Sequence, residues 1–155
     1  MKLQLICLFF LRLRSAKILI AGLNGLGAEI AKNIILSGVN SVTFLDSKNV
    51  EEIDFCSQFF VPRSEIGKNR AEVSLARGQA LNPMVEIKTD TDKLTDKTED
   101  FFKQFDVVCI LEANQNEQIR INNICRDNNV KFFATDLWGM FGYSFADLQN
   151  HEYAE

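Results

Sequence analysis

The chain has 155 residues, 17 basic against 21 acidic side chains for a net charge of −4, and 46% hydrophobic content. That length suits one domain with a sizeable core, and the composition excludes a disordered chain and a basic protein that wraps nucleic acid. The 13 phenylalanines are a heavy apolar load, so either the core is rich in Phe or some of them face a partner.

In chain order, the first feature is the apolar run Leu3 to Leu11 (LQLICLFFL). It is too short to span a bilayer as a helix, which takes about 20 residues. It has the length of a signal-peptide core, yet Arg12 and Arg14 follow at once and no small-residue cleavage site intervenes. Residues 1–16 are therefore set apart as an apolar N-terminal segment, expected to be a helix or strand that packs on something.

From Lys17 the pattern alternates between strand and helix. AKILIAG is a continuous β-rich run; Leu26, Ile30 and Ile34 then recur at helical spacing up to Gly38. SVTFL, from Ser41 to Leu45, is a second strand ending at Asp46. A polar loop and FCSQFFVP lead into a helix expected from Lys68 to Leu81, closed by Asn82 and Pro83. Val85 to Thr89 alternates as a third strand. The acidic segment Asp90 to Asp100 reads as a solvated connection without chemistry, and Glu99 to Gln104 as a short helix. VVCIL is the most apolar strand and hence a central one, Asn116 to Asp127 is helical, and VKFFA is a fifth strand. The expectation is a doubly wound, mostly parallel, Rossmann-like α/β sheet with helices on both faces, over residues 17–155.

The chemistry concentrates in the first turn. Gly22, Gly25 and Gly27 form GxxGxG, not the dehydrogenase GxGxxG, but they sit between a strand and a helix, where backbone N–H groups and the helix dipole can receive a phosphate. The competing reading is that the glycines only permit a tight turn and close packing. Asp46 ends the second strand, where a carboxylate can accept from a ribose diol or can cap the following loop. Asp136, at another strand end, has the same two readings. His151, the one histidine, has no Cys or Ser at suggestive spacing, and Trp138 beside glycines reads as packing. Cys7, Cys56, Cys109 and Cys125 lack metal-ligand spacing and read as reduced thiols, Cys109 as a buried small hydrophobe. No catalytic residue and no metal ligand is assigned.

The ordered strings GLNGLGAEIAKNIILSGV, TFLD, SQFF, IGKNRAE, ALNPMVEIKTDT, FFKQFDVVC and HEYAE resemble the smaller, Aos-type subunits of SUMO-activating enzymes, within the ubiquitin-like modifier activating family. The resemblance runs from about Arg12 to Glu155. It implies a heterodimer that uses ATP and Mg2+ to adenylate the C-terminal glycine of SUMO and passes it to a cysteine of a larger catalytic subunit, which forms the working ATP site. It also implies a nuclear and cytoplasmic location. Three departures mark this chain as the non-catalytic partner, inactive alone: Ser57 stands where the family's arginine precedes a Gln-Phe pair, Arg70 where it has a lysine, and Glu112 where it has an aspartate. The resemblance thus leaves Gly22, Gly25, Gly27, Asp46 and Arg70 as a degenerate nucleotide site. The front segment lacks the family's arginine-bearing pattern, and the chain is expected to be truncated at its C-terminal side. A nicotinamide-dependent oxidoreductase and a pure interaction module, the latter with Phe59 and Phe60 at an interface, are the alternatives.

Overall fold

The computed structural model describes residues 12–151. The apolar run from Leu3 to Leu11, Cys7 and the last four residues lie outside the described part. Residues 12–15 are helical and lead directly into the first strand.

Six strands form one sheet: β1 (Lys17–Ala21), β2 (Ser41–Leu45), β3 (Glu86–Asp90), β4 (Val107–Ile110), β5 (Lys131–Trp138) and β6 (Phe141–Asp147). Their order is β3-β2-β1-β4-β5-β6, with β5–β6 antiparallel and every other pair parallel. The expected doubly wound α/β sheet is therefore present, with one strand more than the sequence reading allowed. Four helices cross between strands: α1 (Gly25–Leu36), α2 (Arg70–Leu81), α3 (Glu99–Phe102) and α4 (Gln115–Asp127).

The two faces of the sheet follow from alternation along β1. Ile18 and Ile20 point to one side, where they pack with Ala28, Ala31 and Ile35 of α1 and Ala71 of α2. Leu19 and Ala21 point to the other, against Phe102 of α3 and Ile121 and Cys125 of α4. Both layers are apolar, which is why the central strands read as continuous hydrophobic runs.

Helix starts are set by side chains. Asn24 caps α1 by accepting from the Gly27 N–H, and Asn114 and Glu117 form a reciprocal capping box on α4. α2 begins at Arg70 and not at Lys68, because the Asn69 carboxamide takes the Ala71 and Glu72 N–H groups and so fixes the first turn there.

The sixth strand was missed because FGYSFAD follows VKFFATDLW without a polar break. The signal was present: Gly139 and Met140 alone connect the two runs, and Gly139 has φ +59, which suits the first position of a two-residue hairpin turn. Pairing with β6 also carries β5 out to Trp138.

The described phenylalanines range from core to surface, with Phe55, Phe101 and Phe133 half-buried. Phe44, Phe60, Phe102, Phe105 and Phe132 are core, while Phe59, Phe141 and Phe145 are exposed. Phe60 is thus no interface residue; Phe59 keeps an exposed ring, with the Lys32 ammonium over it at 5.4 Å from the centroid.

Candidate functional site

In an open α/β sheet the ligand crevice opens where neighbouring strands leave in opposite directions, here between β1 and β4. A crevice of about 230 Å³ lies there, lined by Gly22, Asp46, Lys48, Lys93, Glu112 and Glu117 among others. It falls below the roughly 300–1,000 Å³ of usual small-molecule sites.

The glycine turn is shaped by close approach. Gly22 has φ +97, and a Cβ there would come within 2.9 Å of the Leu111 carbonyl at the end of β4. A Cβ on Gly27 would lie 2.1 Å from the Gly22 carbonyl oxygen, so no larger residue lets α1 pack onto the turn. The turn's donors are used inside the protein: Gly22 N–H goes to the Leu45 carbonyl at 2.9 Å, Leu23 N–H to Asp46 at 2.8 Å and Gly27 N–H to Asn24 at 2.9 Å.

Asp46 is buried and accepts on both carboxylate oxygens. One carboxylate oxygen accepts from Leu23 N–H, the other from Lys48 N–H at 2.9 Å. Asp46 thus caps the loop that follows β2. Arg70 is also buried, and its guanidinium meets Asp46 at 3.3 Å, Asp54 at 3.2 Å and Glu112 at 3.4 Å. Lys48 adds a second cation, 3.0 Å from Glu112. The structure thus brings Gly22, Asp46 and Arg70 together, with Arg70 Nη1 and Nη2 tied to internal carboxylates while its buried Nε meets no acceptor among the described residues.

Ser57 occupies the space over Gly25: its Oγ would lie 2.3 Å from a Cβ built there. Beside it Gln58, completely enclosed, donates to the Leu23 carbonyl at 3.0 Å and to Ser74 at 3.1 Å and accepts from Phe60 N–H, tying the glycine turn to α2.

These groups do not fit a triphosphate with its magnesium. The Gly22, Leu23 and Gly27 N–H groups are taken by internal acceptors, Ser57 stands against Gly25, and the one buried cation among the described residues, Arg70, is already shared among three carboxylates. Among the described residues no three His, Cys, Asp or Glu side chains are grouped to hold a metal ion.

Sequence reasoning missed Lys48, Asp54, Gln58 and the crevice wall formed by Lys93, Leu94 and Thr95. The last corrects the view of Asp90 to Asp100 as bare connection: Lys97 pairs with Asp90 at 2.6 Å and Asp92 at 2.8 Å, and Arg120 donates to the Leu94 and Lys97 carbonyls, so the wall is fixed in place. Asp136 and His151 do not line the crevice. Asp136 accepts from the neighbouring Leu137 N–H. Trp138 is no core residue; it stacks on Tyr143 with ring centroids 5.6 Å apart at the exposed end of the hairpin. Cys109 and Cys125 are buried, and desolvation pushes both thiols up to about 12, whereas Cys56 is exposed.

Strand order, glycine turn and the carboxylate ending β2 define a nucleotide-fold protein of the doubly wound class. A model of the ThiF family matches residues 4–152, and the chain belongs to that family. It is 47% identical over 144 residues to the SUMO-activating enzyme subunit 1 of Xenopus tropicalis and equally to that of Homo sapiens, in each case across 93% of this chain and 42% of the relative. The counterpart in Danio rerio is 46% identical over 145 residues, again covering 93% of this chain and 42% of its own length. The chain thus spans about two fifths of the length of the curated relatives it matches.

Proposed function

We infer that this chain is the nucleotide-fold part of a non-catalytic subunit of a SUMO-activating enzyme. It supports ATP-dependent adenylation of the SUMO C-terminal glycine on a larger partner subunit, which then carries SUMO on its own cysteine. The observation that carries the reading is the identity of 47% across nearly the whole chain to proteins named SUMO-activating enzyme subunit 1. The site's geometry supports the non-catalytic part of it. Adenylyl transfer depends on groups aimed at phosphate, and here Arg70 and the Gly22, Leu23 and Gly27 N–H groups are aimed at the protein's own acceptors. ATP and Mg2+ are accordingly assigned to the larger subunit, and nucleus and cytoplasm to the complex.

The oxidoreductase reading gains no support, since the glycine turn has the spacing GxxGxG and not GxGxxG. The interaction-module reading is favoured by one observation, the exposed apolar residues Leu137, Trp138, Met140 and Phe141, and it differs from the main reading only in its partner.

The test is copurification with the larger subunit, combined with ATP–pyrophosphate exchange in the presence of SUMO. The chain is expected to copurify and to show no exchange alone. Rapid exchange by the chain alone would remove the non-catalytic assignment, and failure to copurify would remove the partner.

A further inference from the structure

The carboxyl end of β4 holds a residue in an uncommon backbone conformation. Glu112 has φ +56, a left-handed value that side chains other than glycine seldom adopt, and such strain persists only where surrounding contacts impose it. The contacts are electrostatic. Glu112 Oε2 accepts from Lys48 Nζ at 3.0 Å and lies 3.4 Å from Arg70 Nη1. Lys48 follows β2 and Arg70 opens α2, so one carboxylate oxygen joins two cations from two elements across the mouth of the crevice between β1 and β4.

That crevice, at the switch point of the sheet, is where a doubly wound fold takes a nucleotide, and Gly22 of the phosphate-side turn lines it together with Lys48 and Glu112. A carboxylate oxygen and a phosphate oxygen are alike there: each is an anionic acceptor for lysine and arginine donors. Lys48 has no other ion-pair partner among the described residues, and Lys93 lines the same space from the loop after β3. We propose that Glu112 is an internal stand-in for a ligand phosphate, its carboxylate holding the anion position between Lys48 and Arg70 and so closing the crevice to polyphosphates. The proposal rests on the nucleotide-fold reading of the crevice and is independent of the partner subunit and of SUMO. It assigns the blocked anion position to one side chain, beside the hold that Asp46 and Asp54 keep on Arg70 and the Ser57 side chain against Gly25.

The 155-residue chain and its Glu112→Gln variant are titrated with inorganic pyrophosphate, by calorimetry and by melting-temperature shift. Glutamine keeps the size and hydrogen-bonding capacity of the side chain and removes its charge. The variant is expected to bind pyrophosphate at least about tenfold more tightly than the parent, the scale set by one charge-assisted hydrogen bond. Adding Lys48→Ala should abolish the gain, and raising the salt should weaken binding steeply. Glu112→Gly, which suits the local φ, serves as a second variant should glutamine impair folding. Equal affinity in parent and variants, no binding by either variant, or a gain indifferent to Lys48 would each overturn the proposal. Because the assay contains neither the larger subunit nor SUMO, a negative result here leaves the copurification test of the proposed function standing.

Discussion

Arg70 is the side chain on which the charges of the crevice converge, since its guanidinium faces Asp46, Asp54 and Glu112 while itself remaining nearly enclosed. Truncating it leaves two buried carboxylates without their cation, a loss of about 3–5 kcal/mol for a buried pair broken from one side. Arg70→Ala should therefore lower the urea midpoint sharply, and Arg70→Lys should fall between it and the parent, because an ammonium cannot reach three carboxylates with a planar fork. Equal midpoints for Ala and parent would refute a structural role for the network. Asp46 and the three glycines were legible in the sequence because their positions follow from the strand ends. The partners of Arg70 were not, since Asp54 and Glu112 come from segments that approach only in the folded chain. The Leu23 and Lys48 N–H groups that Asp46 caps were likewise out of reach of the sequence.

At the scale of elements, helix α4 and strand β6 are joined by Arg126, which donates to Asp147 at 2.8 Å through Nε and 3.2 Å through Nη2. The hydrogen bond from Arg126 holds the Asp147 carboxyl below its ordinary value, against the opposing pull of desolvation. A carboxylate with a lowered folded-state pKa contributes stability that is present above its unfolded value and lost as the pH falls through its folded one. Acid titration should therefore loosen the β5–β6 hairpin at the acid end of the carboxylate range. Trp138, the chain's one tryptophan, sits on that hairpin and reports it by fluorescence. In Arg126→Ala the fluorescence change should move to higher pH, toward the ordinary carboxylate value; an unchanged profile would separate the ion pair from the hairpin's stability. The helices and the five parallel strands were readable because apolar spacing and caps agree, as at Asn69 and Asn114. β6 was not, because its outward residues Phe141 and Phe145 are apolar where a sheet facing water would show alternation.

Seen whole, the molecule is well packed at its centre and apolar at one edge. Leu137, Trp138, Met140, Phe141 and Phe145 stand exposed on the hairpin, with Met140 at 98% and Phe141 at 79%. A cluster of that kind favours association, and β6 has no lysine or proline to blunt its edge. The isolated chain should self-associate as its concentration rises, and Met140→Lys with Phe141→Ser should suppress this at little cost in stability, since both side chains lie on the surface. Light scattering after size exclusion checks it, and a parent chain that stays monomeric at all concentrations would refute it. The sheet's connectivity has a further consequence, for the order of assembly. Lys17 at the start of β1 donates its N–H to the carboxylate of Asp106, 89 residues away, whereas β5 and β6 are joined by Gly139 and Met140 alone. Closing a short loop costs far less chain entropy than closing a long one. The exposed hairpin is thus able to form early and locally, while the seam between β1 and β4, on whose closure the crevice depends, waits for the two halves of the chain to meet.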